Sequence, residues 1–304
     1  MVGGAIWRNL EQKGYQNLIR RSSAELNLIS QAETERFFAA EKPEIVILSA
    51  AKVGGILANN TFRAEFIYNN LLIAANTIHA AHRPGAEKLV FLGSSCIYPK
   101  FAAQPINENA LMTGALESTN EPYAVAKIAG IKLCENYYRQ YGCNFFSLMP
   151  TNLYGPGDNF DLESSHVVPA LMRKFHEAKI KGSDKVLIWG TGAPRREFLY
   201  VEDLADAAVF LLEKTDAADY YDKFGVSHVN VGAGEDLSIA ELALLIKEIV
   251  GFEGEIAYDA EKPDGTLRKL LDVSLLHALG WRHKTSLEGG LRKTYDWFLR
   301  RKTV

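Results

Sequence analysis

The sequence predicts an α/β fold, a doubly wound parallel sheet with a smaller α/β lobe. Three observations predict it. From Leu18 to Gly142, short β-branched or apolar runs alternate with amphipathic helical stretches, the pattern of doubly buried strands joined by crossover helices. Small-residue turns, Gly54-Gly55 and Gly93-Ser94-Ser95, follow two of those runs, and open α/β sheets bind ligands beyond such strand ends. With 304 residues and 47% apolar content, the chain can bury one large core and a smaller second one.

Taken in order, Asn17 to Arg20 reads as a short strand, and Ser30 with Glu33 as a capping box opening a helix to Ala40. Glu44 to Ala51 is a buried strand, Phe62 to His82 a long helix, and Lys88 to Ser94 a second buried strand. A helix over Pro122 to Tyr141 precedes a strand at Asn144 to Met149, which delivers the turn Pro150 to Pro156. Further elements are a helix from about Val167, a strand at Lys185 to Trp189, helices at Asp203 to Glu213 and Ile239 to Val250, and a terminal helix after Ser286. Residues 1–154 are assigned to a dinucleotide-binding domain, with returns near 198–231, and residues 155–304 mainly to a substrate lobe. Met1 to Ile6 already read as a helix beginning at glycine. A first strand and glycine-rich turn are therefore expected to be truncated, leaving Gly3 as the last glycine of that turn.

Charge is nearly balanced, 34 Lys+Arg against 37 Asp+Glu, which gives no broad footprint for nucleic acid or an anionic membrane. The three cysteines, Cys96, Cys134 and Cys143, lack metal or redox spacing and fit a reducing cytoplasm; no metal site is expected. No apolar run approaches a membrane span, and no secretory signal is visible.

Tyr123 and Lys127 form Y-x-x-x-K on a predicted helix, so the phenol and the ammonium share one face. A neighbouring cation makes the phenol a better proton donor to a ketone oxygen. Upstream, Gly93 to Pro99 sets the Ser94 hydroxyl at a strand end. Strand-end Ser followed by Tyr-x-x-x-Lys resembles the extended short-chain dehydrogenase/reductases, as do Asn59-Asn60, Pro150 and the stretch Arg196 to Asp203. Ala51 to Ile56, Gly93 to Lys100, Asn120 to Ala124, Met149 to Pro156, Ser165 to Val167 and Lys262 to Thr266 are similar to segments of the GDP-L-fucose synthase family, and the resemblance spans essentially the whole chain.

That resemblance implies a Rossmann-type fold, an NADP(H) cofactor and a GDP-sugar substrate, GDP-4-keto-6-deoxy-D-mannose. The ketone acidifies C3 and C5, so epimerisation needs a base and an acid on opposite faces. By resemblance Cys96 is the base and His166 the acid. Ser94 and Tyr123 hydrogen-bond the C4 oxygen, Tyr123 supplies the proton during reduction, and Lys127 holds the ribose. A free cysteine is usually a small buried hydrophobe, as Cys134 and Cys143 are expected to be; Cys96 differs in following the catalytic strand end. The cofactor set implied is Gly3, Arg20, Arg21, Ser23, Asn27, Leu92, Gly93, Ser94, Ser95, Lys127, Pro150, Thr151, Asn152, Leu153 and His166. Arg20 and Arg21 stand where an NAD enzyme carries an acid, which favours the 2′-phosphate of NADPH. For the substrate, Arg196 and Lys269 pair with diphosphate, Trp189 offers a flat apolar face, Asp264 accepts sugar or base hydrogen bonds, and Lys174 stands where the family often has Arg.

The resemblance also implies a homodimer formed through helices flanking the motif, for which Leu71, Ile78, Ile131 and Tyr138 are candidates; packing inward on the sheet is the alternative. Other readings are a 4-epimerase, a dehydratase, or a truncated, inactive dinucleotide-binding protein. Ser94-Ser95-Cys96 lacks the carboxylates a dehydratase places there.

Overall fold

The computed structural model describes residues 1–302 apart from 163 and 263, so Pro263 of the 262–266 motif lies outside the described residues. Helices α1 (Val2–Gln12) and α2 (Gln31–Glu41) precede strand β1 (Ile45–Leu48). Then come α3 (Ile56–Thr61), α4 (Arg63–His82), β2 (Lys88–Leu92), α5 (Glu121–Tyr141), β3 (Phe145–Pro150) and β4 (Asn152–Tyr154). The second half comprises α6 (Val167–Lys181), β5 (Lys185–Trp189), β6 (Arg195–Arg196), β7 (Phe198–Tyr200), α7 (Val201–Lys214), β8 (Val229–Val231) and β9 (Leu237–Ser238). It ends with α8 (Ile239–Val250), β10 (Glu255–Asp259), β11 (Arg268–Lys269), α9 (Ser274–Ala278) and α10 (Leu287–Lys302).

Strands β1, β2, β3 and β8 form a parallel sheet in that order. Leu89 to Leu92 are buried in succession, so both faces of β2 are covered. Helix α5 packs on α4 and meets β2 and β3, while α7 packs on α1 and meets β2. This is a Rossmann-type doubly wound α/β arrangement.

The expected strand at Asn17 to Arg20 does not form. Ile19 is 44% exposed and no strand lies beside it among the described residues, so its backbone has no ladder to join. The capping box at α2 is half made: the Ser30 hydroxyl accepts the Glu33 N–H at 3.3 Å, but the Glu33 carboxylate accepts from Asn27 instead.

A second cluster of buried side chains, among them Met172, Phe175, Leu242, Ile246 and Leu291, forms under α6, α8 and α10. Parallel β5–β10 and the small sheet β11–β6–β9 belong to this half. Strand β7 joins the halves by alternation: Leu199 belongs to the first core, and Phe198 and Tyr200 to the second. Glu197, fully buried just before β7, accepts N–H bonds from Gly234 at 2.8 Å and Leu271 at 3.0 Å. Its carbonyl also takes the Asn152 amide at 2.8 Å, so one residue ties the end of β3 to the second half.

Ile78 and Ile131 are fully buried in the main core, which removes them from any dimer face. Tyr138 turns away too, its ring 5.0 Å from that of Tyr221 and its hydroxyl donating to Asp222. The apolar periodicity of these helices reports packing on the sheet.

Candidate active site

The site assembles at the carboxyl ends of the parallel strands. Behind β2, Gly93 admits the Met149 side chain, whose sulfur would lie 2.5 Å from an added Cβ, so strand end and neighbour close together. Ser94 caps the short 3₁₀ turn Ser95–Ile97, its hydroxyl accepting the Cys96 N–H at 3.5 Å. The turn buries Cys96 to 8% exposure.

Helix α5 brings Tyr123 and Lys127 to the same place. Gly130 lets the helix settle on β2, since a Cβ there would fall 2.4 Å from the Phe91 ring. One turn earlier the Lys127 ammonium donates to the Leu92 carbonyl at 2.7 Å and lies 4.7 Å from the Phe91 ring centroid and 5.7 Å from that of Tyr123. Burial pushes the lysine down to about 8, with Cys96 nearby acting in the opposite direction. Burial likewise raises the phenol of Tyr123 far above its ordinary value, and the negative charge available to Cys96 adds to this. The Cys96 thiol is raised by burial and drawn back by the Lys269 charge, the Ser94 hydroxyl and the Lys127 charge.

Lys269 reaches the site from the second half. Parallel register sets it beside Arg196. Burial lowers its ammonium, Cys96 raises it, and Arg196 lowers it further. The other two arginines here are engaged: Arg195 and Arg268 both bind Asp236, at 2.8 and 2.5 Å. Arg196 donates to the Arg195 carbonyl at 2.8 Å, and burial lowers it while Asp264 raises it.

His166 follows a loop stitched to the turn after β1. The Gly55 N–H donates to the Ser164 carbonyl at 3.0 Å, and an added Cβ on Gly55 would meet the Ser165 carbonyl oxygen at 2.9 Å. His166 is exposed at the N-cap of α6 and makes no side-chain cap bond. Asp158, 7% exposed, is near enough for the His166 charge to offset part of the upward shift that burial imposes on its carboxyl. Sequence reasoning did not single out Asp158; an aspartate in a Gly-Asp-Asn turn carries no distinctive signal.

The remaining expected residues divide. Gly3 sits where α1 approaches the end of β1, an added Cβ falling 2.9 Å from the Ser49 hydroxyl. Arg20 stacks over Trp7 at 5.0 Å and Arg21 pairs with Glu41 at 2.8 Å, so both sit on the loop between α1 and α2, away from the Tyr123 centre. Ser23 is exposed on that loop, and Asn27 accepts the Ile29 N–H at 3.1 Å. Thr151 and Asn152 both bond the Glu197 carbonyl, a structural use of groups expected at the cofactor. Lys174 donates to the Leu187 carbonyl at 3.1 Å and lies 5.3 Å from the Trp189 ring, which is 56% exposed. Asp264, expected to accept from the sugar or base, already takes the Thr191 N–H at 2.7 Å and its hydroxyl at 2.8 Å. Asn70 was missed: it accepts the Lys52 N–H at 2.9 Å and donates to the Lys52 carbonyl at 3.0 Å, fixing the turn after β1. Among the described residues, no cluster of His, Cys, Asp and Glu could hold a metal ion.

The chain belongs to the NAD dependent epimerase/dehydratase family, whose model matches residues 1–232. It is 58% identical over 300 residues to GDP-L-fucose synthase 1 of Arabidopsis thaliana, covering 99% of this chain and 90% of that protein. It is 56% identical to GDP-L-fucose synthase of Escherichia coli (strain K12), covering 98% of this chain and 94% of the relative. Among solved structures it resembles MlghC, a GDP-mannoheptose C4 reductase from Campylobacter jejuni with NADP bound, at 40% identity and a TM-score of 0.89 over 98% of this chain and 95% of that one.

Proposed function

We propose that the chain is an epimerase-reductase that converts GDP-4-keto-6-deoxy-D-mannose to GDP-L-fucose. The observation that carries this reading is a buried thiol, Cys96, beside a Tyr-Lys pair. A simple ketone reductase needs only the pair.

NADP(H) fits the residues present. Gly3 opens close approach at the N-terminus of α1, whose first turn is free of acidic residues; Arg20, over Trp7, and Arg21, which a phosphate would have to share with Glu41, stand on the loop that follows α1. When bound, NADPH supplies the hydride for C4. Everything else falls to the chain. Arg196 and Lys269 neutralise the diphosphate. Cys96 takes the proton from a carbon flanking the ketone; burial raises its thiol, and the Lys269 and Lys127 charges work against that rise. His166 returns a proton on the opposite face. Ser94 and Tyr123 hold the C4 oxygen as it gains negative charge. Burial keeps the Tyr123 phenol protonated, the form required to protonate that oxygen when C4 is reduced.

A second reading is C4 reduction without epimerisation, the reaction in the name of the heptose reductase from Campylobacter jejuni. The test of the primary reading is NADPH absorbance on addition of GDP-4-keto-6-deoxy-D-mannose. Substrate-dependent loss, strongly reduced in Tyr123→Phe and Cys96→Ser, is expected. A folded protein that binds NADPH and leaves it unconsumed contradicts the assignment.

We also propose a homodimer through the outward faces of α4 and α5, where Tyr68 is 61% and Val125 38% exposed. Light scattering at the monomer mass would refute it. A reducing cytoplasm suits the free thiols of Cys96, Cys134 and Cys143. Among the described residues no helix is long and apolar enough to cross a membrane.

A further inference from the structure

His166 is exposed and makes no side-chain bond at the N-cap of α6, so its place is set by the backbone ahead of it. That backbone is braced from within. The Asp161 carboxylate accepts the Ser164 N–H at 3.0 Å and its hydroxyl at 2.8 Å, and the Asp161 carbonyl takes the Ser165 N–H at 3.0 Å. The Asn159 amide donates to the Ser164 hydroxyl oxygen at 3.0 Å. A shift imposed on Ser164 or Ser165 is therefore passed to His166.

The turn after β1 is what holds that pair of serines. The Gly55 N–H donates to the Ser164 carbonyl at 3.0 Å. Gly55 has a φ of −65°, open to any residue, so backbone conformation does not call for glycine here. Space does. An added Cβ would stand 2.9 Å from the Ser165 carbonyl oxygen and 3.6 Å from that of Ser164, backbone atoms already held by the braces above. The buried Asn59 aims the turn, its amide donating to the Gly54 carbonyl at 2.7 Å and the Gly55 carbonyl at 3.0 Å. A trans peptide is planar, so fixing the Gly54 carbonyl points the Gly55 N–H the opposite way, at Ser164. Asn70 grips the turn from its other end through Lys52. Gly54 completes the seat: a Cβ there would fall 3.3 Å from the Phe66 ring, which lies edge-on to Tyr123 at 6.5 Å.

We propose that Gly55 and Asn59 are positioning residues for His166, and that the turn they build fixes this proton donor relative to Tyr123. The inference rests on the acid role of His166 in the reading above. His166 begins α6 in the second half, whereas Ser94, Cys96 and Tyr123 belong to the first. Inversion at a carbon needs a base on one face and an acid on the other in the same complex. A misplacement of about 1 Å can cost on the order of 10²-fold in rate, so the separation of the two halves at this point has to be held. The hydrogen bond from Gly55 to Ser164 is a link that holds it.

The test gives GDP-4-keto-6-deoxy-D-mannose to the full chain in deuterium oxide, with NADP⁺ in one arm and NADPH in the other. With NADP⁺ no hydride is available, and exchange at C3 and C5, read by NMR, requires only the Cys96 base, which returns a solvent deuteron to the face it took the proton from. Gly55→Ala is expected to keep that exchange, yet with NADPH to form GDP-L-fucose at least about ten-fold more slowly, because its acid is displaced. In a His166→Gln background the same change is expected to cost no more than about two-fold, since residues that act through one another are not additive. Gly55→Ala with wild-type turnover, exchange lost together with turnover, or equal losses in both backgrounds overturns the proposal. Should Gly55→Ala not fold, Asn59→Ala in the same cycle decides. Failure of the underlying reading shows separately: His166→Gln that turns over like the wild type refutes the acid assignment and the proposal with it, and wild-type protein that consumes no NADPH refutes the catalytic reading.

Discussion

Lys127 is buried to 4% exposure and donates to the Leu92 backbone carbonyl, an arrangement that penalises its charge without abolishing it. With its pKa pushed down to about 8, it is charged at neutral pH and neutral well above that. The proposed role beside Tyr123 needs the charged form. Turnover is therefore expected to fall as pH rises through about 8, and Lys127→Arg, which stays charged, to lose that alkaline limb even if its rate is lower. A wild-type rate flat to pH 10 would contradict the role. Tyr123→Phe removes the proton donor and is expected to cost roughly 10²–10⁴-fold in NADPH oxidation, with the fold retained by circular dichroism. Tyr123, Lys127 and Ser94 were legible because their spacing follows the helix and strand end they sit on, whereas Cys96 was singled out by resemblance to the GDP-L-fucose synthase family. Asp158 was not, because an aspartate in a Gly-Asp-Asn turn is ordinary until the fold sets it near His166.

At the scale of elements, apolar runs located β2 and β3 and every long helix to within a few residues. They failed at Asn17 to Arg20, where strand character needs a partner that local composition does not report. They also misled at Ile78 and Ile131, since one apolar stripe serves the sheet or a second subunit equally well until packing chooses. The contact of α5 with β2 yields a prediction of its own. Gly130→Val would drive a side chain into Phe91 and is expected to destabilise by about 1–3 kcal/mol in urea titration, the usual cost of overpacking, and to lower turnover by displacing Tyr123 and Lys127 together. Unchanged stability would mean that the helix does not rest there.

For the whole molecule, the second half contributes more than a lid. His228 lies fully buried before β8, its Nε2 2.6 Å from the Tyr98 hydroxyl and its Nδ1 2.9 Å from the Ser227 hydroxyl. Tyr98 also donates to Asn230 at 2.5 Å, so this network ties the segment after Cys96 to the far edge of the sheet. Burial pushes His228 down to about 3 from 6.5, so between those values the unfolded chain binds a proton that the folded chain refuses. Stability is thus full above pH 6.5 and declines as pH falls toward 3. His228→Asn is expected to be less stable at pH 7 and to show a shallower loss on acidification; an unaltered slope would mean that His228 is not the group responsible.

The central claim is that one site both epimerises and reduces, and product formed in deuterium oxide tests it most directly. Wild-type protein given GDP-4-keto-6-deoxy-D-mannose and NADPH should yield GDP-L-fucose carrying solvent deuterium at both C3 and C5, with one NADPH consumed per product, as read by NMR and absorbance. NADPH consumption with protium retained at both carbons would contradict the account and leave a plain C4 reductase.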